Sequence, residues 1–225
     1  MTKNSFYKFF DEISPTLGVR KYSFSKIFSY LDNLPDPIII VETGCLRIKN
    51  NFSGDGQSTL LFDKYTQFRG KGSKVYTVDI NPEATKICSE IVSKDVSITT
   101  GDSVKYLNTL SNDFFDKEIE VSFFYLDSFD LEWRSPYQSC AHHLKELVSI
   151  KKILKKDTLV VVDDSPISGY LQQSKIKEKS LEALPLGLVP GPTISGKGSL
   201  VHQYAMQTGA HMLFSNYQTG WIGFN

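Results

Sequence analysis

The sequence contains little cysteine, with Cys45, Cys88 and Cys140 as the only three among 225 residues. Their odd number and wide spacing fit neither a disulfide framework nor a cysteine-based metal site. We therefore expect reduced thiols and a cytoplasmic protein.

Neither sign of charge is in excess, because 25 basic residues balance 25 acidic ones. A neutral chain offers no broad surface for nucleic acid or membrane, and we expect neither partner. No apolar run reaches membrane-spanning length. Lys3, Lys8 and Asp11 interrupt the apolar residues of the first segment, which is unlike a signal peptide.

Apolar residues make up 40% of the chain, which suits one domain with a full core. Two helices are predicted within residues 4–33, because aromatic and aliphatic residues recur there at helical spacing. We expect their aromatic side chains to pack on a sheet, and the alternative is a cap over a substrate.

A strand, a glycine-bearing loop and a helix follow one another between residues 37 and 68. Residues 38–41 are a β-branched run, typical of a strand buried on both faces, and Gly44 closes it. The loop contains Gly54 and Gly56, and a helix is predicted over 57–68. Glycines let the backbone approach a ligand closely, and the first helix amides point at it. The order therefore predicts a nucleotide-type site, with an ordinary strand-to-helix turn as the alternative.

The remaining chain alternates between strand and helix patterns. Strands are predicted over 74–80, 96–100, 119–126, 158–162, 211–216 and 219–224, and helices from 81, from 102 or 103, over 137–154 and over 200–208. Leu144, Leu147, Val148 and Leu154 are the expected core residues of the third helix in that list, and residues 184–198 read as a long loop. The alternation predicts a Rossmann-like α/β fold with a mostly parallel seven-stranded sheet, helices on both faces and an antiparallel last strand. We expect a single domain over 1–225, with N-terminal helices over 1–36 and the core over 37–225.

Acidic residues follow five successive predicted strands. They are Glu42, Asp79, Asp102, Asp127 and the pair Asp163 and Asp164. Ligands of open α/β sheets bind outside the carboxyl ends of the strands, so these acids are candidate ligand-binding residues. Helix capping is an equal alternative for Asp102.

Asp79 is placed where a carboxylate accepts hydrogen bonds from both hydroxyls of a ribose, and a helix cap is its alternative. This position serves NAD and S-adenosylmethionine alike. Thr59 stands where the dinucleotide fingerprint has its third glycine, and the loop lies well beyond Gly44 instead of following the strand directly. The sequence therefore disfavours a pyrophosphate site.

The order of these motifs resembles the class I S-adenosylmethionine-dependent methyltransferases over about residues 37–165. The resemblance rests on residues 42–44, Asp79, residues 101–103 and residues 125–127. It implies a glycine loop beside the methionine moiety, Asp79 on the ribose and the residues after strand three on adenine. The implied cofactor-binding set is Glu42, Gly44, Gly54, Gly56, Ser58, Thr59, Asp79, Ile80, Asp102, Ser103 and Asp127. Residues 46–52 are an insertion relative to the family, and either Gly44 or the segment 54–56 makes the closest contact.

Asp127, Asp163 and Asp164 together look like the metal site of catechol- and macrolide-type O-methyltransferases. Three carboxylates suit a hard cation such as Mg²⁺, which would bind the acceptor oxygen and lower its pKa. The alternative is that Asp163 and Asp164 cap the turn before Pro166.

The catechol-type enzymes carry a lysine three residues after the acid of strand four, and this chain has Asp130 there. Asp130 is the candidate catalytic base, or a further ligand, or a solvated loop acid. His142, His143, Lys197 and His202 are weaker candidates.

The leading hypothesis is methyl transfer from S-adenosylmethionine to an oxygen of a small molecule, assisted by a divalent cation. An NAD-type oxidoreductase and a catalytically silent nucleotide-binding module are the alternatives. A small-molecule acceptor is the expected partner, and a homodimer is an option that the sequence leaves open.

Overall fold

The computed structural model describes residues 3–167 and 194–224. The strands are β1 Ile39–Thr43, β2 Lys74–Asp79, β3 Val96–Thr100, β4 Phe123–Leu126, β5 Leu159–Val162, β6 His211–Ser215 and β7 Thr219–Ile222. The helices are α1 Lys3–Ile13, α2 Lys21–Leu31, α3 Phe52–Asp55, α4 Ser58–Arg69, α5 Pro82–Ile91, α6 Ser103–Asp116, α7 Tyr137–Ile150 and α8 Ser199–Thr208. Short 3₁₀ segments occupy Ser14–Arg20, Lys151–Ile153 and Gly196–Gly198.

The strands form one seven-stranded sheet in the order β3-β2-β1-β4-β5-β7-β6. The five strands from β3 to β5 in that order pair in parallel, whereas β7 runs antiparallel to both of its neighbours. This confirms the predicted fold, including the antiparallel last strand. All parallel strands therefore present their carboxyl ends at one edge of the sheet.

Alternate residues of the central strands enter two separate cores, one on each face of the sheet. Ile40 and Tyr125 pack with α1, α2 and α4 on one face. Val41 and Leu126 pack with α6, α7 and α8 on the other. The N-terminal aromatics belong to the first core, so they pack on the sheet as predicted.

Two predicted details of the elements are wrong. Strand β4 begins at Phe123 and not at 119, because residues 117–119 terminate α6. Glu118 has a positive φ of 55° and the amide of Ile119 donates to the carbonyl of Phe114 at 2.8 Å. Val148 was expected in the core but is 56% exposed, because α7 buries His143, Glu146 and Leu147 on its inward side instead.

The predicted loop over 184–198 lies outside the described residues as far as 193. Its last part returns to the sheet edge, where Ile194 bridges Ile167 and residues 196–198 form a 3₁₀ turn. None of the described helices combines the length and apolarity that crossing a membrane requires.

Candidate functional site

The carboxyl edge of the parallel strands carries two adjacent clefts. A narrow one is lined by Gly44, Cys45, Arg47, Ser58, Asp79, Asp127 and Ser128. A larger cavity of about 320 Å³ lies beside it, and its lining includes Arg20, Arg47, Asp127, Trp133, Asp164 and Tyr217. Asp127 and Arg47 belong to both, so the two clefts meet at the end of β4.

Gly44 brings the end of β1 against the end of β4. Its φ is +81°, and a Cβ there would lie 2.4 Å from the carbonyl oxygen of Asp127. Its amide donates to the carbonyl of Val78 at 2.8 Å. Any side chain at this position would push the two strand ends apart, so glycine is required by both backbone conformation and space.

The carboxylate of Asp79 orders the two chain segments at the rim of the narrow cleft. Oδ2 accepts a hydrogen bond from the amide of Cys45 at 3.2 Å, and Oδ1 accepts one from the amide of Asn81 at 2.8 Å. The side chain stays partly exposed. The next residue, Ile80, is 71% exposed and offers an apolar surface beside the cleft.

Glu42 and Thr59 lie beneath the narrow cleft and do not line it. Both are fully buried, and Glu42 Oε2 accepts hydrogen bonds from the hydroxyls of Thr59 and Thr77 at 2.6 and 2.7 Å. The Thr59 hydroxyl also accepts from the amide of Leu46 at 2.9 Å. These two predicted cofactor residues therefore hold the loop and the start of α4, while Ser58 reaches the cleft.

Gly54 lines the larger cavity, Gly56 lies beside Arg20, and neither glycine lines the narrow cleft. The carbonyl of Gly54 accepts from Arg20 at 3.3 Å. Gly56 ends α3 with a φ of +72°, and a Cβ there would lie 3.0 Å from Arg20 Cδ. The structure thus separates the two glycine positions that the sequence left open, with Gly44 beside Asp79 and Gly54 beside Arg20.

Asp102 caps α6, because its side chain accepts from the amide of Lys105 at 2.9 Å. Ser103 turns inward to a polar cluster under the end of β4. Its hydroxyl lies 2.9 Å from His142 Nε2 and 3.2 Å from the hydroxyl of Ser128. Their assignment to a cofactor stays a prediction.

Glu146 is the fully buried acid of this cluster, and no sequence pattern predicts its burial. Its Oε1 accepts from the hydroxyl of Ser128 at 2.6 Å and lies 3.5 Å from His142 Nε2. Burial alone would raise the pKa of Glu146, but the contacts with His142, His143 and the serine hydroxyls outweigh it and lower that pKa. Burial lowers the pKa of His143 to about 4, so this histidine is neutral at physiological pH.

The three acids Asp127, Asp163 and Asp164 come together as predicted, with one ligand atom from each lying within 4.8 Å of the others. Arg20 faces them from the end of the first 3₁₀ segment. Its Nε lies 3.1 and 3.0 Å from the two oxygens of Asp163, and an Nη donates to Asp163 at 2.8 Å and to Asp164 at 3.3 Å. Burial opposes the charge of Asp163, but Arg20 outweighs it and lowers the pKa of this carboxyl.

Lys197 is the second cation among these acids. Its ammonium donates to Asp127 Oδ1 and lies 3.2 Å from Asp164 Oδ2. Burial alone would lower the pKa of Lys197, but the attraction of Asp127 and Asp164 outweighs it and raises the pKa. The lysine is therefore a permanent cation, and only 1% of it is exposed. Removal from water raises the pKa of Asp127, an effect that Lys197 partly offsets.

A divalent cation does not fit this arrangement of side chains. Both oxygens of Asp163 accept from Arg20, and Asp164 Oδ1 accepts from Arg20 and from the Tyr217 hydroxyl at 2.5 Å. Lys197 contacts Asp164 Oδ2 and Asp127 Oδ1. A metal bound by all three acids would have to occupy the position of the ammonium, and two cations repel one another at that distance.

Asp130, the candidate base, lies on the exposed rim of the site. Its carboxylate pairs with Arg47 at 3.1 Å, and its side chain is 76% exposed. The role of Asp130 as the base stays a prediction. Asp127 is nearer to both clefts, and one-fifth of its side chain is exposed.

Sequence reasoning missed Arg20 and Tyr217, and it ranked Lys197 among weak candidates. Gly196 and Gly198 flank the lysine, and this Gly-Lys-Gly run is the one local sign that its backbone is specially placed. No local pattern in the sequence distinguishes Arg20 or Tyr217 from the other arginines and tyrosines of the chain.

The fold has a counterpart of known structure. The crystal structure of an S-adenosylmethionine-dependent methyltransferase from Anabaena variabilis matches with a TM-score of 0.53 and 10% sequence identity, covering 99% of this chain and 96% of that one. The chain shares the fold of that methyltransferase. A methyltransferase structure from Methanosarcina mazei matches with a TM-score of 0.45 and 11% identity over 85% of this chain and 93% of that one. No protein-family model matches the sequence, and a search of curated proteins found no match.

Proposed function

We propose that this chain transfers a methyl group from S-adenosylmethionine to a hydroxyl oxygen of a small polar molecule. The observation that carries the proposal is the meeting of two clefts at Asp127, one beside Gly44, Ser58 and Asp79 and the other about 320 Å³ in volume. A two-substrate transfer needs two adjoining sites with the reacting atoms at their junction. The fold shared with a methyltransferase supports this reading.

In this proposal the residues of the narrow cleft hold the cofactor. The Asp79 carboxylate would accept hydrogen bonds from the ribose hydroxyls, and Gly44 and Ser58 would contact the methionine moiety. Ile80, Asp102 and Ser103 would contact the adenine. When bound, the cofactor supplies an electrophilic methyl group on a sulfonium.

We propose Asp127 as the base, with Asp130 as the alternative predicted from sequence. Asp127 would take up the proton that the acceptor hydroxyl loses when its oxygen receives the methyl group and the cofactor leaves as the neutral thioether. Removal from water raises the pKa of Asp127, which makes it a stronger base than an exposed aspartate. Its place at the junction of both clefts favours it over the exposed Asp130.

The acceptor cavity is polar and carries charges of both signs. Arg20 and Arg47 are balanced there by Asp127 and Asp164, and Trp133 supplies an aromatic surface. We propose a small acceptor with several hydrogen-bonding groups. Cytoplasmic location and a homodimer stay predictions.

Isothermal titration separates this proposal from its competitors. We expect S-adenosylhomocysteine to bind more tightly than NAD. Clear heat with NAD and none with S-adenosylhomocysteine would favour the oxidoreductase. Tight S-adenosylhomocysteine binding without turnover across a broad panel of hydroxyl acceptors would favour a silent binding module.

A further inference from the structure

We propose that Arg20 and Lys197 replace a divalent metal ion at the acid cluster Asp127, Asp163 and Asp164, so that methyl transfer here proceeds without metal. The claim that methyl transfer needs no metal rests on the proposed function. The replacement of a metal by Arg20 and Lys197 is a property of the folded chain and has its own test.

Arg20 and Lys197 together neutralise as much of the negative charge of the three acids as a divalent metal ion would. Three carboxylates gathered within 4.8 Å repel one another unless positive charge lies among them. The guanidinium of Arg20 and the ammonium of Lys197 together bring two positive charges, which equals the charge of Mg²⁺. Both side chains are buried, at 7% and 1% exposure, so water screens these interactions little.

The backbone fixes Lys197 in this position. Gly196 has a φ of +63°, and a Cβ there would lie 1.9 Å from the carbonyl oxygen of Asp164. The amide of Lys197 donates to that same carbonyl at 3.0 Å. A Cβ on Gly198 would lie 2.6 Å from Ser165 Cβ. The turn is therefore packed directly on the residues after β5, which places the Lys197 side chain beside Asp127 and Asp164.

Arg20 is held just as firmly from the other side. Its guanidinium carbon lies 4.8 Å from the centre of the Tyr217 ring, and its remaining Nη donates to the carbonyl of Gly54. Arginine delivers paired hydrogen bonds to one carboxylate, and Asp163 receives them on both oxygens. Both oxygens of Asp163 therefore accept hydrogen bonds from Arg20, and this acid is not available as a metal ligand.

The arrangement narrows the acceptor class. An acceptor bound through a hard cation would supply oxygen ligands to it, whereas here the cavity exposes the carboxylates of Asp127 and Asp164. Those groups accept hydrogen bonds, so the acceptor needs hydroxyl or ammonium donors and not a chelating pair. Lys197 does not reach the cavity and acts as a positioning residue for Asp127.

Thermal melts of the whole protein with and without Mg²⁺ or Mn²⁺ test the replacement. We expect neither cation to change the melting midpoint of the native protein. Lys197→Met removes the ammonium at similar volume and frees Asp127 Oδ1 and Asp164 Oδ2. These two acids with water can then bind Mn²⁺, so this variant should gain a rise in midpoint with Mn²⁺ that the native chain lacks. Lys117→Met, which breaks the exposed pair with Asp113, is the matched control and should gain nothing.

A native midpoint that rises with either cation and loses this rise in Asp127→Asn would overturn the proposal. A Lys197→Met protein that folds but ignores both cations would also contradict it. If that variant does not fold, Asp163→Asn decides: an acid paired with Arg20 loses stability on neutralisation, whereas an acid of an empty metal site gains it. Binding of S-adenosylhomocysteine, measured separately, shows whether the proposed function stands whatever the melts give.

Discussion

At the scale of single residues, Asp79 has both a structural and a proposed binding role. It accepts two backbone amides while remaining partly exposed at the cleft. We expect Asp79→Ala to weaken binding of S-adenosylhomocysteine roughly ten- to hundred-fold, because hydrogen bonds to a charged group contribute about 1.5–3 kcal/mol. Titration calorimetry measures the change. Asp95→Ala, at an exposed position before β3, should bind like the native chain, and equal affinity of both variants would remove Asp79 from the site.

The two candidate bases, Asp127 and Asp130, predict opposite effects of their Asn substitutions on the rate. Asp127→Asn should lower the single-turnover rate about 10²–10⁴-fold, the usual contribution of a general base. Affinity for the cofactor should stay close to native, since the amide keeps the shape of the side chain. Asp130→Asn is the paired variant and should have little effect, because it alters an exposed pair with Arg47. The reverse result would assign the base to Asp130.

At the scale of elements, the turn Gly196–Gly198 fixes a cation through its backbone. Gly196→Ala should destabilise the protein far more than Gly209→Ala, although both glycines have positive φ values of +63° and +77°. At Gly209, which ends α8, a Cβ meets nothing within 4 Å, so only the backbone cost of about 1–2 kcal/mol applies. At Gly196 the clash with Asp164 adds to it. Urea unfolding compares the two, and equal losses would mean that the turn readjusts easily.

Elements with strong local signals were predicted well from sequence, and their ends were not. The β-branched runs of β1 and β5 are typical of buried strands. The end of α6 depends on Glu118 adopting a positive φ, which no propensity indicates. The exposure of Val148 depends on the rotation of α7 about its axis, and buried polar residues at His143 and Glu146 hid the inward stripe from hydrophobic periodicity.

At the scale of the whole molecule, one buried histidine links stability to pH. The pKa of His143 falls from 6.5 to about 4 on folding because burial disfavours the charged ring. Between these two pH values the unfolded chain binds a proton that the folded chain excludes. The free energy of unfolding should therefore fall as pH falls through this window, by at most about 1.4 kcal/mol per pH unit.

Urea unfolding at a series of pH values measures that slope. His143→Gln keeps a donor for the carbonyl of Ser139 and should make the curve shallower, whereas His211→Gln at an exposed position should leave it as steep as before. A native curve that is already flat in this window would contradict the assignment.

The acids of the site could be predicted because parallel strands bring their carboxyl ends to one edge, so local patterns alone placed Asp127 beside Asp163. The two cations that pair with these acids, Arg20 and Lys197, could not be predicted. Arg20 lies 143 positions from Asp163, and Lys197 lies 70 positions from Asp127. Contacts at such separations depend on how turns place the chain in three dimensions, and a single sequence contains no periodic signal for them.

These separations also set the order in which the site becomes complete during synthesis. The three acids leave the ribosome before Lys197, and Arg20 is then the one cation of the cluster already made. A nascent chain that stops short of residue 194 leaves Asp127 without its lysine, and burying an unpaired carboxylate is costly. We therefore expect closure of this sheet edge to be a late step in folding, which waits for the Gly-Lys-Gly turn to dock after β5.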